Sequence, residues 1–257
     1  MVQFAANLTM LFTEHAFLDR FAAAADAGFT AVEFLSPYEY ESGQIADALE
    51  VSGLRLVLHN LPSGNWAGGE RGIGCLPDRT DEFRAGVARA IEYASALGCT
   101  RLNCLAGIAA ADDAAARRTL VENLRFAAEA LRGTGITLLL EPVNTRDVPG
   151  FFVSRTTQAL AILDEVGDDK VKLQFDIYHT QVMEGDLARS IETHFDRIGH
   201  LQLADNPGRN EPGTGEINYR YLFGKIDALG YDGWIGCEYK PKHATAAGLG
   251  WIRELCA

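Results

Sequence analysis

Four residues with oxygen-bearing side chains follow short apolar segments in the second half of the chain. The segments are ITLLLEPVN, VKLQFDIYH, GHLQLADN and GWIGCEYKP, and the residues are Glu141, Asp176, Gln202 and Glu238. Carboxylate and amide oxygens are the ligands that hard divalent cations prefer. A cation held between two glutamates would support the transfer of a proton beside a carbonyl group.

The spacing of these four residues is that of successive strand–helix units. They lie 35, 26 and 36 residues apart, and the apolar segment before each is typical of a buried parallel strand. Strands are predicted at Gln3–Asn7, Ala31–Phe34, Leu54–His59, Arg101–Leu105, Ile136–Glu141, Val171–Asp176, Ile198–Ala204 and Trp234–Glu238. Helices that stop near a glycine are predicted at Phe17–Ala27, Asp81–Leu97, Ala114–Leu131, Thr156–Val166 and Tyr219–Leu229.

Eight strands that alternate with helices predict an α/β fold, a single (β/α)8 TIM barrel over residues 1–257. A doubly wound open sheet usually has fewer strands, and no GxGxxG motif follows the first strand, so a dinucleotide site is not predicted. Active sites of such barrels lie at the carboxyl ends of the strands. We therefore expect the four oxygen-bearing residues to meet at that end.

Side-chain alternation along the strands supports this placement, because residues two apart share a face. If Glu141 points into the barrel, the same alternation identifies the last inward-facing residue of each of the other strands. All eight of these positions are polar: Asn7, Glu33, His59, Asn103, Glu141, Asp176, Gln202 and Glu238. A capping role for single strand-end acids does not account for a complete polar ring, which favours a functional site.

Composition excludes several classes of protein. The net charge of −12 opposes a nucleic-acid-binding surface. No stretch approaches the roughly 18 apolar residues of a membrane span, and the first residues lack the basic start of a signal peptide. The five cysteines form no CxxC pair, which favours reduced cysteines in a cytoplasmic protein. The sequence is compatible with a homo-oligomer.

Seven longer segments resemble the hydroxypyruvate isomerase family, within the xylose isomerase-like barrel group that also includes ketose 3-epimerases. They are FAANLTMLF, AVEFLSPYEY, LHNLPSGNWAGGERG, LEPVN, FDIYHTQVMEGD, GHLQLADNPGRNEPGTGEINY and GCEYKP. The resemblance implies a metal bound by Glu141, Asp176, Gln202 and Glu238, with the two glutamates flanking the substrate. The epimerases have histidine where this chain has Gln202. An amide oxygen in place of that nitrogen shifts the expected metal to Mg²⁺ or Mn²⁺ and away from Zn²⁺.

The activity that the resemblance implies is the interconversion of hydroxypyruvate and tartronate semialdehyde, an aldose–ketose type isomerisation of a small hydroxy-oxo acid. A proton moves from C3 to C2 through an enediolate held by the metal. Glu141 and Glu238 are the expected catalytic acid and base, since they lie on non-adjacent strands and would face each other across the ion.

Cations and histidines in loops of the catalytic end are candidates for contacting the substrate. Arg71, Arg209 and Lys240 each follow a predicted strand, and at least one of them is expected to bind the substrate carboxylate. His59 ends the third strand and His179 lies three residues after Asp176. In relatives the residue that matches His179 contacts a substrate oxygen, which makes His179 a candidate substrate ligand. His59 is a second candidate because of its place at the strand end.

Other activities remain open at the level of sequence. A 2-oxo-tetronate isomerase would use the same motifs on a four-carbon acid, and the depth of the pocket around Leu35–Tyr40 and Ser63–Arg71 would separate the two. A ketose 3-epimerase is a further alternative. A DNA-repair endonuclease of the same fold would need a histidine-rich three-zinc site and a basic face, which six histidines and a net charge of −12 disfavour. A non-catalytic binding protein is disfavoured by the intact set of four polar residues.

Overall fold

Eight parallel strands close into a barrel in the computed structural model, which describes residues 2–256. The strands follow chain order around the barrel, so the predicted (β/α)8 fold is confirmed. They are β1 (Gln3–Asn7), β2 (Ala31–Phe34), β3 (Arg55–Asn60), β4 (Arg101–Cys104), β5 (Thr137–Leu140), β6 (Val171–Asp176), β7 (Ile198–Leu203) and β8 (Trp234–Cys237). The prediction of one domain over residues 1–257 stays a prediction, and Met1 and Ala257 lie outside the described range.

Helices of very different length cover the barrel. They are α1 (Arg20–Asp26), α2 (Ser42–Ser52), α3 (Thr80–Ala96), α4 (Ala114–Ala130), α5 (Thr156–Val166), α6 (Ile177–Met183), α7 (Leu187–His194), α8 (Tyr219–Ala228) and α9 (Trp251–Cys256). The predicted helix at Phe17–Ala27 is wrong at its start, because Phe17–Asp19 forms a 3-10 turn before α1. Helices α2, α6, α7 and α9 were not predicted.

The observed ends of three strands differ from the predicted ends in ways that affect the site. Strands β5 and β8 end one residue before Glu141 and Glu238, so the prediction that these glutamates lie within strands is wrong by one residue. Strand β3 is shifted by one residue, from Leu54–His59 to Arg55–Asn60. Both glutamates therefore begin loops at the carboxyl end of the barrel, where the backbone is no longer held to both neighbouring strands.

Apolar residues fill the barrel below that end and pack the strands against the helices. A small cluster inside the barrel consists of Ala5, Ala31, Val57, Leu58 and Leu139, with Trp234 packed against it. The predicted polar ring lies above it, with one correction. His59 pairs with Phe34 and Leu102 and stacks on the Phe34 ring, so it faces the helices, and the prediction that it points into the barrel is wrong because β3 is shifted by one residue. Asn60, whose side-chain oxygen accepts from Asn103, takes its place, and all eight members of the corrected ring are buried. Interior side chains of such barrels are arranged in layers, and here the uppermost layer is polar throughout.

Within residues 2–256, no helix combines the length and the apolar character that a bilayer-crossing segment needs.

Candidate active site

Three carboxylates and one imidazole meet at the carboxyl end of the barrel. Glu141, Asp176, His179 and Glu238 each contribute one side-chain atom, and these atoms all lie within 4.8 Å of one another. All four residues are buried. They come from the ends of β5, β6 and β8 and from the first turn of α6, so residues far apart in the sequence form one cluster.

Neighbouring side chains hold two of the carboxylates in place. Asn103 on β4 donates to Oε2 of Glu141 over 2.8 Å. Asp176 ends β6 and caps α6, because its Oδ1 accepts a hydrogen bond of 3.0 Å from the backbone of His179. The second oxygen of Asp176, Oδ2, is buried and has no hydrogen-bond partner among the described residues. A buried carboxylate oxygen without a partner is unfavourable unless a ligand supplies one.

Crowding and burial change the protonation of the two glutamates. Burial raises the pKa of Glu141 well above its usual value, and the charges of Glu238 and Asp176 raise it further. Burial raises the pKa of Glu238 to about 8, although nearby Arg209 opposes this. Like charges this close disfavour each other's ionised form. The protein without a bound cation therefore holds protons in this cluster at neutral pH.

His179 places an uncharged imidazole N–H beside the cluster. Burial lowers its pKa to about 4. Its Nδ1 lies 3.4 Å from the backbone N–H of Asn144, which can only donate. The ring hydrogen of the neutral imidazole is therefore on Nε2, which lies 3.9 Å from oxygens of both Glu141 and Asp176. An N–H group at this point suits a substrate oxygen better than it suits a metal ion.

Arg209 is the cation of the cluster. Its Nη2 donates to Oε2 of Glu238 over 2.8 Å, and its guanidinium lies 5.2 Å from the centre of the Tyr178 ring. Its Nη1 is 3.6 Å from Asp147. Its Nε is buried and has no partner among the described residues. This arginine therefore has a donor left over for an anionic group.

The loop that carries Arg209 is built around one carboxylate. Asp205 accepts hydrogen bonds from the backbone N–H groups of Asn206, Gly213, Gly215 and Ile217. Arg209 itself has a φ of 53°, a left-handed conformation that costs free energy for residues other than glycine and persists where its surroundings enforce it. The loop is thus ordered before any substrate arrives.

Gln202 lies beside Asp176, because the two residues pair in the register of β6 and β7. Its Nε2 donates to Glu33 over 2.7 Å and its Oε1 accepts from Gln174 over 2.7 Å. An amide oxygen has two lone pairs, so Gln174 leaves one of them free.

The donor set fits a hard divalent cation. Oxygens within 4.8 Å of one another can surround a single ion whose bonds to oxygen are about 2.0–2.6 Å long. The buried Oδ2 of Asp176 without a partner is the feature that a bound cation would explain. Glu141, Asp176 and Glu238, with the free lone pair of Gln202, would hold such an ion.

The other predicted substrate ligands lie outside these contacts. His59 is buried, with its Nδ1 3.0 Å from the carbonyl oxygen of Asn60 and no partner for its Nε2 among the described residues. Arg71 stacks on Trp66, 4.2 Å from the ring centre. Lys240 is exposed. Their roles toward the substrate stay predictions.

Sequence reasoning missed Arg146, which contacts Tyr178 beside Arg209, and Asn144, which contacts His179. Arg146 donates to the hydroxyl of Tyr178 over 3.0 Å and to Asn206 over 2.9 Å. It carries the same signal as Arg71, Arg209 and Lys240, a cation in a loop that follows a strand. Asn144 follows Glu141 in the same loop. No signal in the sequence connects it with His179, which is 35 residues away.

The chain is similar to known proteins over nearly its full length. Residues 21–255 match the family model described as xylose isomerase-like TIM barrel. The 2-oxo-tetronate isomerase of Cupriavidus necator is 52% identical over 255 residues, and the hydroxypyruvate isomerase of Escherichia coli is 53% identical over 254 residues. The match covers 98% of this chain and 98% of the relative in both cases.

Solved structures show the same fold. A structure from Brucella melitensis described as AP endonuclease, family 2, superimposes with a TM-score of 0.96 and 44% identity, with 99% of each chain covered. The D-allulose 3-epimerase of a Methylomonas species in complex with D-allulose has a TM-score of 0.77 at 21% identity, with 99% of this chain and 89% of that chain covered. This second likeness concerns the fold alone.

Proposed function

The chain belongs to the xylose isomerase-like TIM barrel family, and we propose that it is the member that interconverts hydroxypyruvate and tartronate semialdehyde. The two curated relatives support an isomerase of the hydroxypyruvate isomerase type. The observation that carries the proposal is the meeting of Glu141 and Glu238 in one buried cluster with Asp176, next to the arginine Arg209. Two carboxylates that hold or release protons near neutral pH, beside an anion-binding group, suit proton transfer within a small acid.

The reaction divides into two proton transfers at carbon. One glutamate removes a proton from C3 of hydroxypyruvate, and the electrons of that C–H bond form the double bond of an enediolate. The other glutamate delivers a proton to C2, while a proton passes from the oxygen on C3 to the oxygen on C2. The ketone at C2 becomes an alcohol and the alcohol at C3 becomes an aldehyde. Paired acid–base groups of this kind contribute roughly 10²–10⁴-fold to rate.

The chain's other residues would orient the substrate and hold its charges. The neutral His179 has an N–H group available for one of the two migrating oxygens. Arg209 would bind the carboxylate through its free Nε–H, a charge-assisted hydrogen bond. A divalent cation, Mg²⁺ or Mn²⁺, held by Glu141, Asp176, Gln202 and Glu238 would supply Lewis-acid stabilisation of the negative charge that develops.

A four-carbon substrate is the second candidate, and one observation favours it. A cavity of about 650 Å³ lies at the catalytic end of the barrel between the loops that follow β1, β2 and β3, with Leu35, Tyr38, Ser63 and Trp66 in its wall. These are the loops on which pocket depth was expected to depend. A 2-oxo-tetronate is longer than hydroxypyruvate by one carbon, and these loops are where room for that carbon would be needed, although no residue of the cluster lines the cavity.

Rates on three substrates test the proposal. We expect kcat/KM to be highest for hydroxypyruvate, lower for a 2-oxo-tetronate and lowest for a free ketohexose, because only the acids engage Arg209. A higher value for the 2-oxo-tetronate would make the four-carbon reaction the better assignment. A ketohexose that outperforms both acids would overturn the proposal in favour of an epimerase or sugar isomerase.

Arg209→Gln is expected to raise KM for hydroxypyruvate strongly. Loss of a hydrogen bond to a charged group costs about 1.5–3 kcal/mol, which corresponds to roughly 10–150-fold. Arg209 also pairs with Glu238, so kcat is expected to change as well. Steady-state kinetics give both parameters. Dihydroxyacetone has CH2OH in place of the carboxylate, and its inhibition constant measures binding of an uncharged analogue of hydroxypyruvate.

The controls are Arg71→Gln and Lys240→Gln, which remove a cation from other loops of the same end of the barrel. We expect both to leave KM within a few-fold of the unmodified enzyme. The prediction is wrong if Arg209→Gln raises the inhibition constant of dihydroxyacetone by the same factor as it raises KM for hydroxypyruvate. It is also wrong if one of the two control variants has the larger effect, in which case that cation binds the carboxylate.

A nuclease activity is disfavoured by charge and by the composition of the cluster. The net charge of −12 opposes the approach of a phosphate backbone. Among the described residues, the cluster contains a single histidine, His179, whereas a three-zinc site would need several.

The five cysteines are free in the structure, which supports a reducing location such as the cytoplasm.

A further inference from the structure

A second group of polar side chains lies buried on the barrel axis, directly beside the cluster. At its centre is the carboxylate of Glu33 on β2, a residue with 0% exposure. Its Oε1 accepts from Asn7 over 2.9 Å and from Gln202 over 2.7 Å. Its Oε2 lies 2.6 Å from Nε2 of His200. None of the proposed proton transfers uses this carboxylate.

The space for Glu33 exists because β8 has a glycine opposite it. A Cβ atom at Gly236 would collide with both oxygens of the Glu33 carboxylate. Gly236 and Gln202 pair in the register of β7 and β8. Glu33 therefore occupies a position on the axis that a side chain from β8 would otherwise fill, at the level of Gln202.

The contact with Glu33 determines which way the amide of Gln202 is turned. The two ends of a glutamine amide have nearly the same shape, but one donates hydrogen bonds and the other accepts them. Oε1 of Glu33 already accepts from the amide N–H of Asn7, whose own amide oxygen accepts from the backbone of Thr9, so the nitrogen of Gln202 faces this oxygen. The oxygen then faces away, where Gln174 occupies one of its two lone pairs.

This orientation decides whether Gln202 can be a metal ligand. An amide oxygen binds a hard cation, whereas an amide nitrogen has no lone pair to offer at neutral pH. We propose that Glu33 is a positioning residue that fixes the amide of Gln202 so that its oxygen, and not its nitrogen, is presented to a divalent cation. The inference rests on the cation site of the proposed function, formed by Glu141, Asp176 and Glu238.

Glu33→Gln is the variant that removes this selection while it keeps the size of the side chain. A glutamine at position 33 can pair with either end of the Gln202 amide. Partners that orient metal ligands typically contribute 10–100-fold to metal affinity, and we expect the Kd for Mn²⁺ to rise by that factor. Calorimetric titration of the metal-free protein with Mn²⁺ measures this directly, without turnover.

Loss of a negative charge near the site would also weaken cation binding, so the variant is tested in a second background. In Gln202→Glu the side chain at position 202 has two equivalent oxygens and no orientation to select. Glu33→Gln is expected to cost clearly less Mn²⁺ affinity in this background than in the natural one, because only the loss of the carboxylate itself is common to both. A purely electrostatic or structural role for Glu33 predicts the same fold-loss in both backgrounds.

Each outcome of this cycle has one meaning. A clearly larger loss in the natural background than in the Gln202→Glu background supports the inference. Equal loss in both backgrounds, or no loss in the natural one, overturns it and leaves the proposed function intact. If the unmodified protein does not bind Mn²⁺, the metal site of the proposed function fails, and with it this inference.

Circular dichroism of each variant checks that the barrel is folded. Should Glu33→Gln fail to fold, Glu33→Asp serves the same cycle. Aspartate keeps the charge and shortens the side chain by one methylene group, which separates the carboxylate from Gln202. We expect weaker Mn²⁺ binding although the charge is unchanged, and no loss in the Gln202→Glu background. The same two contrary outcomes overturn the inference.

Discussion

Glutamine in place of Glu141 or of Glu238 is expected to reduce kcat by at least roughly 10²–10⁴-fold, the usual contribution of a general acid or base. The amide keeps the size of the side chain and one oxygen for a cation, but it cannot carry the proton. Loss of one negative metal ligand adds to the effect. Steady-state rates with hydroxypyruvate measure it, and circular dichroism checks that the fold is retained.

Exchange with solvent in D2O then distinguishes the two glutamates. The variant that lacks the base for C3 is expected to stop the replacement of C3 hydrogen by deuterium, as followed by proton NMR. The variant that lacks only the residue that delivers the proton to C2 is expected to continue this exchange without forming product. The difference would show which glutamate acts first.

Glu184→Gln is the matched control for both substitutions. Glu184 accepts a hydrogen bond from the backbone of Thr156 at the start of α5 and has no part in the cluster. We expect its variant to keep kcat within a few-fold of the unmodified enzyme. A variant at position 141 or 238 with near-normal kcat would remove that glutamate from the proton transfers.

Removal of divalent cations is expected to abolish turnover, and Mg²⁺ or Mn²⁺ is expected to restore it. Asp176 Oδ2 has no partner in the buried cluster, and three carboxylates lie within reach of one ion. Activity after chelation and dialysis, with the metal content checked by elemental analysis, provides the measurement. Zn²⁺ should restore less, because the proposed ligands are all oxygen atoms. Full activity in a metal-free sample would contradict the Lewis-acid role.

Metal binding should also release protons. Burial and neighbouring charge raise the pKa of Glu238 to about 8 and that of Glu141 well above its usual value. A cation binds the ionised carboxylates, so it competes with these protons. The apparent affinity is expected to fall as the pH is lowered from about 8. Calorimetry in buffers of different ionisation enthalpy gives the number of protons released, and a value of zero at pH 7 would contradict the raised pKa values.

Much of the architecture follows from local features of the sequence. The bounds of β1, β2, β6 and α5 are as predicted, because apolar runs between polar ends and glycine stops are local signals. The short α6 was missed because it depends on the cap supplied by Asp176 and not on apolar periodicity. For α2 the signals were present, with Ile45 and Leu49 on its buried face and Gly53 at its end.

The contacts within the site depend on distances that the sequence does not contain. Sequence reasoning left Arg71, Arg209 and Lys240 as equivalent candidates. The structure distinguishes them, since only Arg209 is held against Glu238 by a loop that Asp205 orders. Position 202 was expected to offer an oxygen. The partner that turns its amide, Glu33, lies 169 residues away in sequence, so no local pattern could reveal it.

Gly236 shows how a mutational map of this enzyme could mislead. It touches no reacting atom in the proposed mechanism, yet even one added methyl group would push the Glu33 carboxylate off the barrel axis. Its φ lies outside the left-handed region, so the backbone itself would accept an alanine. Intolerance at this position would thus reflect volume next to a buried carboxylate, and a screen scored only by loss of activity would rank Gly236 with the glutamates. The boundary of the catalytic machinery, drawn from such a screen, would extend one layer deeper into the barrel than the chemistry does.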